Sequence, residues 1–343
     1  MRAAWHYTPR HGWSAGTRRP ERLEIELAKL VAERRPGARV DELLRMPRPA
    51  RSSWSIEDLR LRLDDGQALS LVWKDLGREA PRSQAWRVKP ARVLDPGREP
   101  WMYETVLGPV GEGAPCWGTV SDPHDGVHWL FLEPVEGPPL CEIGDTDTWA
   151  LAAAWLGGFH ARFLGSPPHG GVLLQHDTAL YDWLFCRALA AGDDRVVAFL
   201  ADVAPTYRAA VSDVLDQPRT LLHGEFYPAN ILVDGGPPTR IVPVDWEMAG
   251  VGPAVLDLAA LTSGGWNAEE RVAFVDAYRA ARLAAGAPCP AADRLLHLLD
   301  AAGLLVAVQW LAWAGDDPWE PPEELRNDWL EEAMRSACRL RAG

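Results

Sequence analysis

The sequence predicts an α+β fold, with a small antiparallel β-sheet in its first part and a larger, mainly helical second part. Residues 56–63 and 68–75 are apolar or alternate in polarity, and the Asp64-Asp65-Gly66 segment between them is typical of a β-hairpin turn. From residue 146 onward, apolar residues recur at the spacing of one helix face. The segments predicted to be helices are 146–163, 177–191, 194–214, 268–285, 290–314 and 321–341.

The first 50 residues are predicted to form a helical N-terminal extension. Residues 20–37 have amphipathic helical spacing that ends at Gly37, and residues 39–46 (RVDELLRM) predict a second helix. Such an extension would pack against the sheet or mediate homodimerisation, and the sequence does not decide between the two.

Charge and cysteine content argue against several classes of partner and site. A formal net charge of −13 disfavours nucleic acid or an anionic membrane as the main partner. No run of about 18 apolar residues predicts a membrane span, and the N-terminus lacks a hydrophobic signal core. Five widely spaced cysteines without a CxxC predict reduced thiols, neither a disulfide framework nor a zinc site. We therefore expect a cytoplasmic protein, and the bias towards Arg, Ala, Gly and Pro is typical of a GC-rich bacterial genome.

Residues 221–258 contain the polar pattern that best indicates a function. His223-Gly224-Glu225 follows a short apolar segment, and Asn230 comes five residues after Glu225. Two short apolar strands, 231–233 and 240–244, then lead to Asp245-Trp246-Glu247. Phosphoryl transfer from a nucleotide needs a carboxylate beside the acceptor hydroxyl, and amide and carboxylate oxygens that hold Mg²⁺. A hairpin that ends in these residues would bring them within reach of one metal ion.

This segment resembles the catalytic loop and metal-binding segment of the aminoglycoside phosphotransferase and choline kinase superfamily, written H-G-D-x-x-x-x-N followed by D-W-E or D-F-E. His223, Gly224, Asn230 and Asp245-Trp246-Glu247 match, and Asp257-Leu258-Ala259 follows at the expected distance. The resemblance implies a two-lobed protein-kinase-like fold. Its predicted domains are a helical extension (1–50), a nucleotide-binding N-lobe with linker (51–136) and a helical C-lobe with catalytic loop and acceptor pocket (137–343).

The resemblance also implies ATP or GTP and Mg²⁺ as cofactors. Asn230 and Asp245 would hold the metal and, with His223 and Glu225, make up the catalytic residues. Glu225 departs from the family, which usually has Asp at this position, and its carboxylate lies one methylene further from the backbone. Either the loop has adjusted to glutamate as base or hydroxyl positioner, or the chain binds nucleotide without transferring phosphate.

Lys74, at the end of the second predicted strand, is expected to hold the α- and β-phosphates. Its partner would be Glu99 or Glu104, on a helix predicted over 97–107, and family members that read R-E-x-x-x-Y favour Glu99. Lys89, in a Pro- and Arg-rich loop, is the weaker candidate for the phosphate-binding lysine.

The remaining nucleotide contacts are placed by position. Ser53, within RSSWS (51–55), lies where the family has its short nucleotide loop, and this segment is either such a loop or a plain polar turn. Glu133 and Val135 follow the apolar strand 127–133 and would contact adenine through backbone groups. His160, near the end of the 146–163 helix, fits a buried, hydrogen-bonded structural histidine better than a catalytic one.

The acceptor is indicated only in class. Asp316, Asp317 and Glu320 belong to an acidic, tryptophan-containing stretch (311–332) that either binds a cationic substrate or is the solvated start of a helix. Glu247 is a further candidate for substrate contact. The expected function is transfer of the γ-phosphate of ATP or GTP to a hydroxyl of a small molecule, such as an aminosugar or amino alcohol. The alternatives are a Ser/Thr kinase acting on a peptide in natural-product maturation, and a nucleotide-binding pseudokinase scaffold.

Overall fold

An antiparallel sheet forms the first part of the chain in the computed structural model, which describes residues 19–48, 54–77, 92–313 and 323–342. Its strands are β1 (Val40–Pro47), β2 (Ser55–Leu63), β3 (Ala68–Asp75), β4 (Cys116–Asp122) and β5 (Val127–Leu132), in the order β1-β2-β3-β5-β4. The predicted turn between β2 and β3 is present, because Leu63 N–H donates to the Gln67 carbonyl and Gly66 has a φ of +81°. Strand β5 pairs with both β3 and β4 and places Leu130 opposite Lys74.

The helix predicted over 39–46 is wrong, because this segment is the edge strand β1. Eight residues are too few for a helix that stands alone, whereas an edge strand tolerates charged residues and a proline. Arg62 on β2 lies 3.2 Å from Asp41 and 2.8 Å from Glu42, which offsets part of their negative charge. The helix predicted over 20–37 is confirmed as α1 (Arg19–Arg34), with Leu23, Leu27 and Val31 buried.

The described residues divide into two compact units. Helix α1, most of β1 and residues 59–70 form the first unit, and the other described residues form the second. All side chains of the site described below belong to the second unit.

A short helical segment lies between β3 and β4. It consists of α2 (Arg98–Met102), one π-helical turn (Tyr103–Leu107) and α3 (Gly108–Val110). Glu99 is in the first turn of α2 and is buried. The helix predicted over 97–107 is therefore present, with a π turn in its second half, a feature that is frequent near functional sites.

The second part of the chain is mainly helical, as predicted. Its helices are α4 (Thr146–Phe163), α5 (Thr178–Ala191), α6 (Asp194–Leu215), α7 (Val255–Leu261), α8 (Ala268–Ala284), α9 (Ala292–Trp313) and α10 (Glu323–Ala342). The short strands are β6 (Leu174–Gln175), β7 (Arg219–Leu222), β8 (Ile231–Asp234), β9 (Arg240–Pro243) and β10 (Gly250–Pro253). Strands β8 and β9 form the predicted hairpin, and β6-β10-β7 form a separate sheet.

Helix α9 lies in the core of this helical region. It is the one helix among the described residues that is long and apolar enough to cross a membrane, yet 78% of that window is buried inside the protein. Burial of this extent is typical of a core helix. The predicted α+β class, with an antiparallel sheet followed by a helical region, is confirmed.

Candidate active site

A cavity of about 470 Å³ collects most of the residues predicted to bind nucleotide and metal. Residues from β3, α2, the segment after β5 and the β8–β9 hairpin line it together. The predicted residues among them are Lys74, Glu99, Glu133, Val135, Asn230 and Asp245. Val72, Leu132 and Leu232 add apolar walls. Small-molecule sites in proteins have this size and this mixture of apolar surface with a few polar groups.

Lys74 is buried at the end of β3 between two carboxylates. Its Nζ lies 2.6 Å from Glu99 Oε2 and also contacts Asp245 Oδ1. Burial lowers the pKa of Lys74, but the charges of Asp245 and Glu99 outweigh it and raise that pKa above its ordinary value. The predicted ion pair with Glu99 is therefore present. Glu104 instead accepts a hydrogen bond from Thr119 Oγ1, and Lys89 lies outside the described residues.

Glu99 links Lys74 to the metal-binding segment. Its Oε1 accepts a hydrogen bond of 3.2 Å from the Trp246 backbone N–H. Burial raises the pKa of the Glu99 carboxyl; Lys74 opposes this, while Asp245 and Glu247 add to it. Lys74 contacts Glu99 and Asp245, and the charge of Glu247 also acts on it. We call these four residues the Lys74 cluster.

Asp245 has a left-handed backbone conformation. With a φ of 69° and a ψ of 61°, it is the one non-glycine residue of the described ranges at positive φ. Asp tolerates this region better than most residues, although at a cost of about 1 kcal/mol. The buried Trp246 ring packs on Phe159 and His223, with ring centroids 5.4 and 4.4 Å apart, and this packing holds the turn in place. The carboxylate of Asp245 remains 24% exposed and lines the cavity.

The turn at His223-Gly224 is anchored by Asp257 at the start of α7. The backbone N–H groups of His223 and Gly224 donate to its two carboxylate oxygens, at 2.7 and 2.9 Å. Gly224 has a φ of +86°, and a Cβ there would lie 2.1 Å from the Met248 carbonyl oxygen. Only glycine fits this position, so the sharp turn depends on both Gly224 and Asp257.

His160 extends this anchor, as predicted for a buried structural histidine. Its Nε2 lies 3.1 Å from Asp257 Oδ2, and its Nδ1 lies 3.1 Å from the Tyr278 hydroxyl. Burial lowers the pKa of His160, which favours the neutral ring despite the opposing effect of Asp257. We call Asp257, His160 and Tyr278 the loop anchor.

Both ring nitrogens of His223 are engaged by the main chain. Its Nε2 donates to the Val244 carbonyl at 3.1 Å, and its Nδ1 accepts from the Glu225 N–H at 3.3 Å. Burial lowers the pKa of this histidine, so the ring is neutral. The geometry gives His223 a positioning role, because it ties the Glu225 backbone to the strand that precedes Asp245.

Asn230 and Asp245, the two predicted metal ligands, both line the cavity. The Asn230 Nδ2 donates to the Glu225 carbonyl at 3.0 Å, which assigns its Oδ1 as the remaining end of the amide. The Val244 N–H donates to the Asn230 carbonyl at 2.9 Å, so Asn230 lies next to the residue before Asp245. Among the described residues no group of three or more His, Cys, Asp or Glu side chains could hold a metal ion. Mg²⁺ needs no such group, since one or two protein ligands with phosphate oxygens and water complete its shell.

In the segment after β5, some polar groups of Glu133 already form hydrogen bonds within the protein. The Glu133 N–H donates to the Pro115 carbonyl, and the Glu133 carboxylate accepts from Trp117 Nε1, both at 2.8 Å. Glu133 and Val135 line the cavity as predicted, and the Glu133 side chain is turned towards Trp117.

Glu247 is not among the residues that line this cavity, and its predicted contact with substrate stays a prediction. Its buried carboxylate accepts a hydrogen bond from Trp54 Nε1, and its carbonyl accepts from Arg98 at 2.5 Å. Trp54 does line the cavity, so Glu247 is one residue removed from it.

Trp54, Arg98 and the anchoring role of Asp257 are features that sequence reasoning missed. Arg98 stands directly before Glu99, and the R-E-x-x-x-Y pattern could have identified it as a functional residue. Trp54 had no such signal, because its partner Glu247 is 193 residues away.

Four predicted residues lie outside the described ranges. They are Ser53, Asp316, Asp317 and Glu320. The acidic stretch therefore stays a prediction.

An aromatic surface borders the catalytic loop. Trp310 Nε1 donates to the Tyr227 hydroxyl at 2.7 Å, and the Trp310 and Trp329 rings lie 6.5 Å apart. The Tyr227 N–H donates to the Glu225 carbonyl at 2.7 Å, which places this surface beside Glu225.

Solved structures share this fold at low sequence identity. The choline kinase LicA from Streptococcus pneumoniae has a TM-score of 0.58 at 12% identity, over 94% of this chain and 100% of that chain. A Plasmodium vivax ethanolamine kinase has a TM-score of 0.58 at 13% identity, over 94% and 90%. The GDP complex of aminoglycoside 2'-phosphotransferase-IIIa has a TM-score of 0.52 at 14% identity, over 92% and 99%. The LicA kinase is also known in complex with AMP, with a TM-score of 0.57 at 13% identity, over 95% and 99%.

These likenesses confirm the predicted kinase-like fold, whereas no curated protein matches the sequence. The model of the phosphotransferase enzyme family (APH) matches residues 110–296, which is 187 of the 343 residues and includes the loop from His223 to Asp257. The chain belongs to the phosphotransferase enzyme family.

Proposed function

We propose that this phosphotransferase moves the γ-phosphate of ATP or GTP to a hydroxyl group of a small molecule. One observation carries the proposal: a single cavity is lined by Lys74, Glu99, Asn230 and Asp245. The first and last of these residues are 171 positions apart along the chain. The AMP and GDP complexes of two structural neighbours support a nucleotide as the ligand of this cavity.

The nucleotide base would lie between the apolar walls. Val72 and Leu132 come from β3 and β5, and Leu232 comes from β8. Because the Glu133 N–H is used by Pro115, the base would be recognised by the Glu133 carbonyl and the Val135 N–H. A backbone carbonyl and a backbone N–H can both form hydrogen bonds with the edge of a purine.

The phosphates would lie against Lys74, with Mg²⁺ held by Asn230 Oδ1 and Asp245. The bound metal would neutralise charge on the β- and γ-phosphates. Glu99 keeps the ammonium of Lys74 in place, and its bond to the Trp246 N–H keeps the adjacent Asp245 oriented towards the cavity. The Asp245 carboxylate is 24% exposed and lines the cavity, and carboxylate oxygens are ligands that Mg²⁺ prefers.

Glu225 is the group we propose to accept or orient the acceptor hydroxyl. Its backbone is fixed at three points: the N–H by His223, and the carbonyl by Asn230 and Tyr227. The loop is therefore rigid where the carboxylate is attached. Rigidity matters because a shift of about 1 Å at a reacting group can cost roughly 10²-fold in rate.

The aromatic surface beside Glu225 supports one class of acceptor. Tyr227, Trp310 and Trp329 pack against the core and are only partly buried, and aromatic rings attract cations with about 0.5–2 kcal/mol per contact. We propose a small alcohol that carries an ammonium group, such as an amino alcohol or an aminosugar. Under this proposal, Trp310→Leu raises KM for a charged amino alcohol and leaves KM for ATP unchanged.

The test is a pair of substitutions at Glu225, with phosphate transfer measured from labelled ATP to a panel of amino alcohols, aminosugars and uncharged alcohols. Glu225→Gln is expected to lower kcat by roughly 10²-fold or more while nucleotide affinity is kept, since general-base help is worth about 10²–10⁴-fold. Glu225→Asp should be impaired less.

Glu104→Gln is the matched control, because Glu104 bonds to Thr119 away from Lys74. Transfer that is absent in the wild type and gained in Glu225→Asp would identify a nucleotide-binding pseudokinase. Turnover unchanged in Glu225→Gln would show that the reaction needs no carboxylate at this position.

A further inference from the structure

A second cavity, of about 310 Å³, is lined in part by Tyr278 of the loop anchor. Its walls are mostly apolar and include Pro218, Val255, Pro288, Leu295 and Leu298. The lining also includes one cation, Arg282 near the end of α8, which is only 5% exposed.

Arg282 is a buried cation with an incomplete set of partners. Its Nη1 donates to the Tyr278 hydroxyl at 2.8 Å, and its guanidinium lies 5.9 Å from the centre of the Tyr278 ring. Its Nε is buried and has no hydrogen-bond partner among the described residues. No described carboxylate forms an ion pair with Arg282, and its neighbour in the network is the neutral hydroxyl of Tyr278. A buried guanidinium normally has a carboxylate or phosphate partner, because desolvation of an unpaired charge costs several kcal/mol.

Close packing of two helices joins this arginine to the loop anchor. Gly157 on α4 lets α8 approach so closely that a Cβ there would lie 2.3 Å from the Tyr278 carbonyl oxygen. The approach brings the Tyr278 hydroxyl within 3.1 Å of His160.

The donors and acceptors of this network have one consistent order. Burial opposes ionisation of Asp257, but its bonds with His160 and His223 hold its pKa below the ordinary value, so the carboxylate is charged. It therefore accepts from His160 Nε2–H, His160 Nδ1 accepts from the Tyr278 hydroxyl, and that hydroxyl accepts from Arg282. Asp257 also accepts from the N–H groups of His223 and Gly224. A continuous chain of hydrogen bonds thus runs from the second cavity to the backbone of the catalytic loop.

We propose that this cavity binds a small carboxylate with an apolar body, held by Arg282, and that its occupancy is transmitted to the catalytic loop through the loop anchor. The apolar walls would cover the body of the ligand, and the guanidinium would pair with its carboxylate through charge-assisted hydrogen bonds. The competing explanation is that a water molecule satisfies Nε and that the distant charge of Asp257 suffices to balance Arg282.

Binding is tested with benzoate as the probe and the neutral isostere benzamide as its control, by calorimetry on the full chain. We expect benzoate to bind the wild type and benzamide to bind at least roughly tenfold more weakly, because hydrogen bonds to a charged group are the stronger ones. Arg282→Met should abolish the preference for benzoate. Arg271→Met, also on α8 but paired with Asp300 at 2.5 Å and absent from the cavity lining, should keep it. No binding of benzoate to the wild type, or equal binding to Arg282→Met, overturns the site.

A second measurement of binding requires no variant. Cys289 lines the cavity, whereas Cys338 on α10 is exposed elsewhere. Benzoate should slow the alkylation of Cys289 and leave that of Cys338 unchanged, as resolved by mass spectrometry. Equal rates at Cys289 with and without benzoate contradict occupancy of the cavity.

Transmission is tested by amide hydrogen exchange of the catalytic loop, which does not depend on enzymatic activity. Benzoate should change the exchange of the His223 and Gly224 amides in the wild type. Tyr278→Phe keeps Arg282 and the cavity but interrupts the chain of hydrogen bonds, so benzoate should bind without changing exchange at the loop. An unchanged loop in the wild type, or the same response in Tyr278→Phe, overturns the transmission.

Discussion

The Lys74 cluster and the loop anchor hold their buried carboxylates in different ways. In the Lys74 cluster, the ammonium of Lys74 contacts Glu99 and Asp245, and the cluster borders a cavity. In the loop anchor, the single carboxylate of Asp257 accepts three hydrogen bonds at 2.7–3.1 Å and is 1% exposed. Carboxylates are thus held by ion pairs where a ligand is proposed to bind, and by hydrogen bonds where the backbone must be held.

Asp245→Asn gives the largest expected effect on turnover and tests the Lys74 cluster. Turnover should fall by roughly 10³-fold, since loss of one preorganised charge at a reacting centre costs about 10²–10³-fold and the proposed metal ligand is lost as well. The free energy of unfolding should fall less than in Asp257→Asn, because the buried Lys74 loses its contact with Asp245 but keeps its ion pair with Glu99. Steady-state kinetics and urea denaturation measure the two quantities on the same sample. A large loss of stability would show that Asp245 is structurally satisfied, like Asp257.

Asp257→Asn should have the opposite profile, with stability as the main loss. The amide can replace one accepted hydrogen bond but presents its NH₂ group to a second donor. Leaving such a buried donor unsatisfied, together with the lost charge, costs about 2–4 kcal/mol. Urea denaturation at neutral pH measures the loss.

Asp213→Asn is the control for this substitution. Asp213 also accepts from a histidine and an arginine, but its side chain is 29% exposed, so the loss there should stay below about 1 kcal/mol. Similar losses of stability in Asp213→Asn and Asp257→Asn would mean that burial of the Asp257 network adds nothing to the free energy of unfolding.

The difference between the two clusters also explains what the sequence could predict. Lys74, Glu99 and Asp245 carry charges at the ends of regular elements, where strand and helix patterns place them. The anchoring contact of Asp257 depends on tertiary packing, because His160 is 97 residues away along the chain. The helix prediction for residues 39–46 was wrong for a similar reason. This segment contains helix-forming residues, but pairing with β2 overrides that preference.

Glu99→Gln gives an intermediate effect and separates positioning from phosphate binding. Glutamine keeps the acceptor for the Trp246 N–H but removes the ion pair with Lys74. We expect kcat/KM for ATP to fall roughly tenfold, in the range of one charge-assisted hydrogen bond. Glu104→Gln on the adjacent π turn should match the wild type in the same assay. If Glu104→Gln has the larger defect, the assignment of the lysine's partner is wrong.

The smallest expected effect is a pH dependence of stability whose sign differs between the buried histidines and Glu99. Burial lowers the pKa of His160 and His223, and that of the neighbouring His176 to about 4. When the pKa of a histidine is lowered in the folded state, the unfolded chain takes up the proton at a higher pH than the folded protein does. Its contribution is therefore present above the unfolded pKa of about 6.5 and is lost as the pH falls below that value.

Glu99 should act in the opposite direction, because burial raises its pKa above that of the unfolded chain and the folded state takes up the proton first. Its contribution grows as the pH falls from neutrality towards the unfolded-state pKa. For His176 the loss between about pH 7 and about pH 5.5 is about 1 kcal/mol. His176→Gln should therefore make the decrease in stability on acidification shallower, whereas Glu99→Gln should make it steeper. Urea midpoints across this pH range measure how stability depends on pH in each variant. If this dependence changes in the same direction in both variants, the carboxylates around Lys74 are neutralised as fully as that of Asp257.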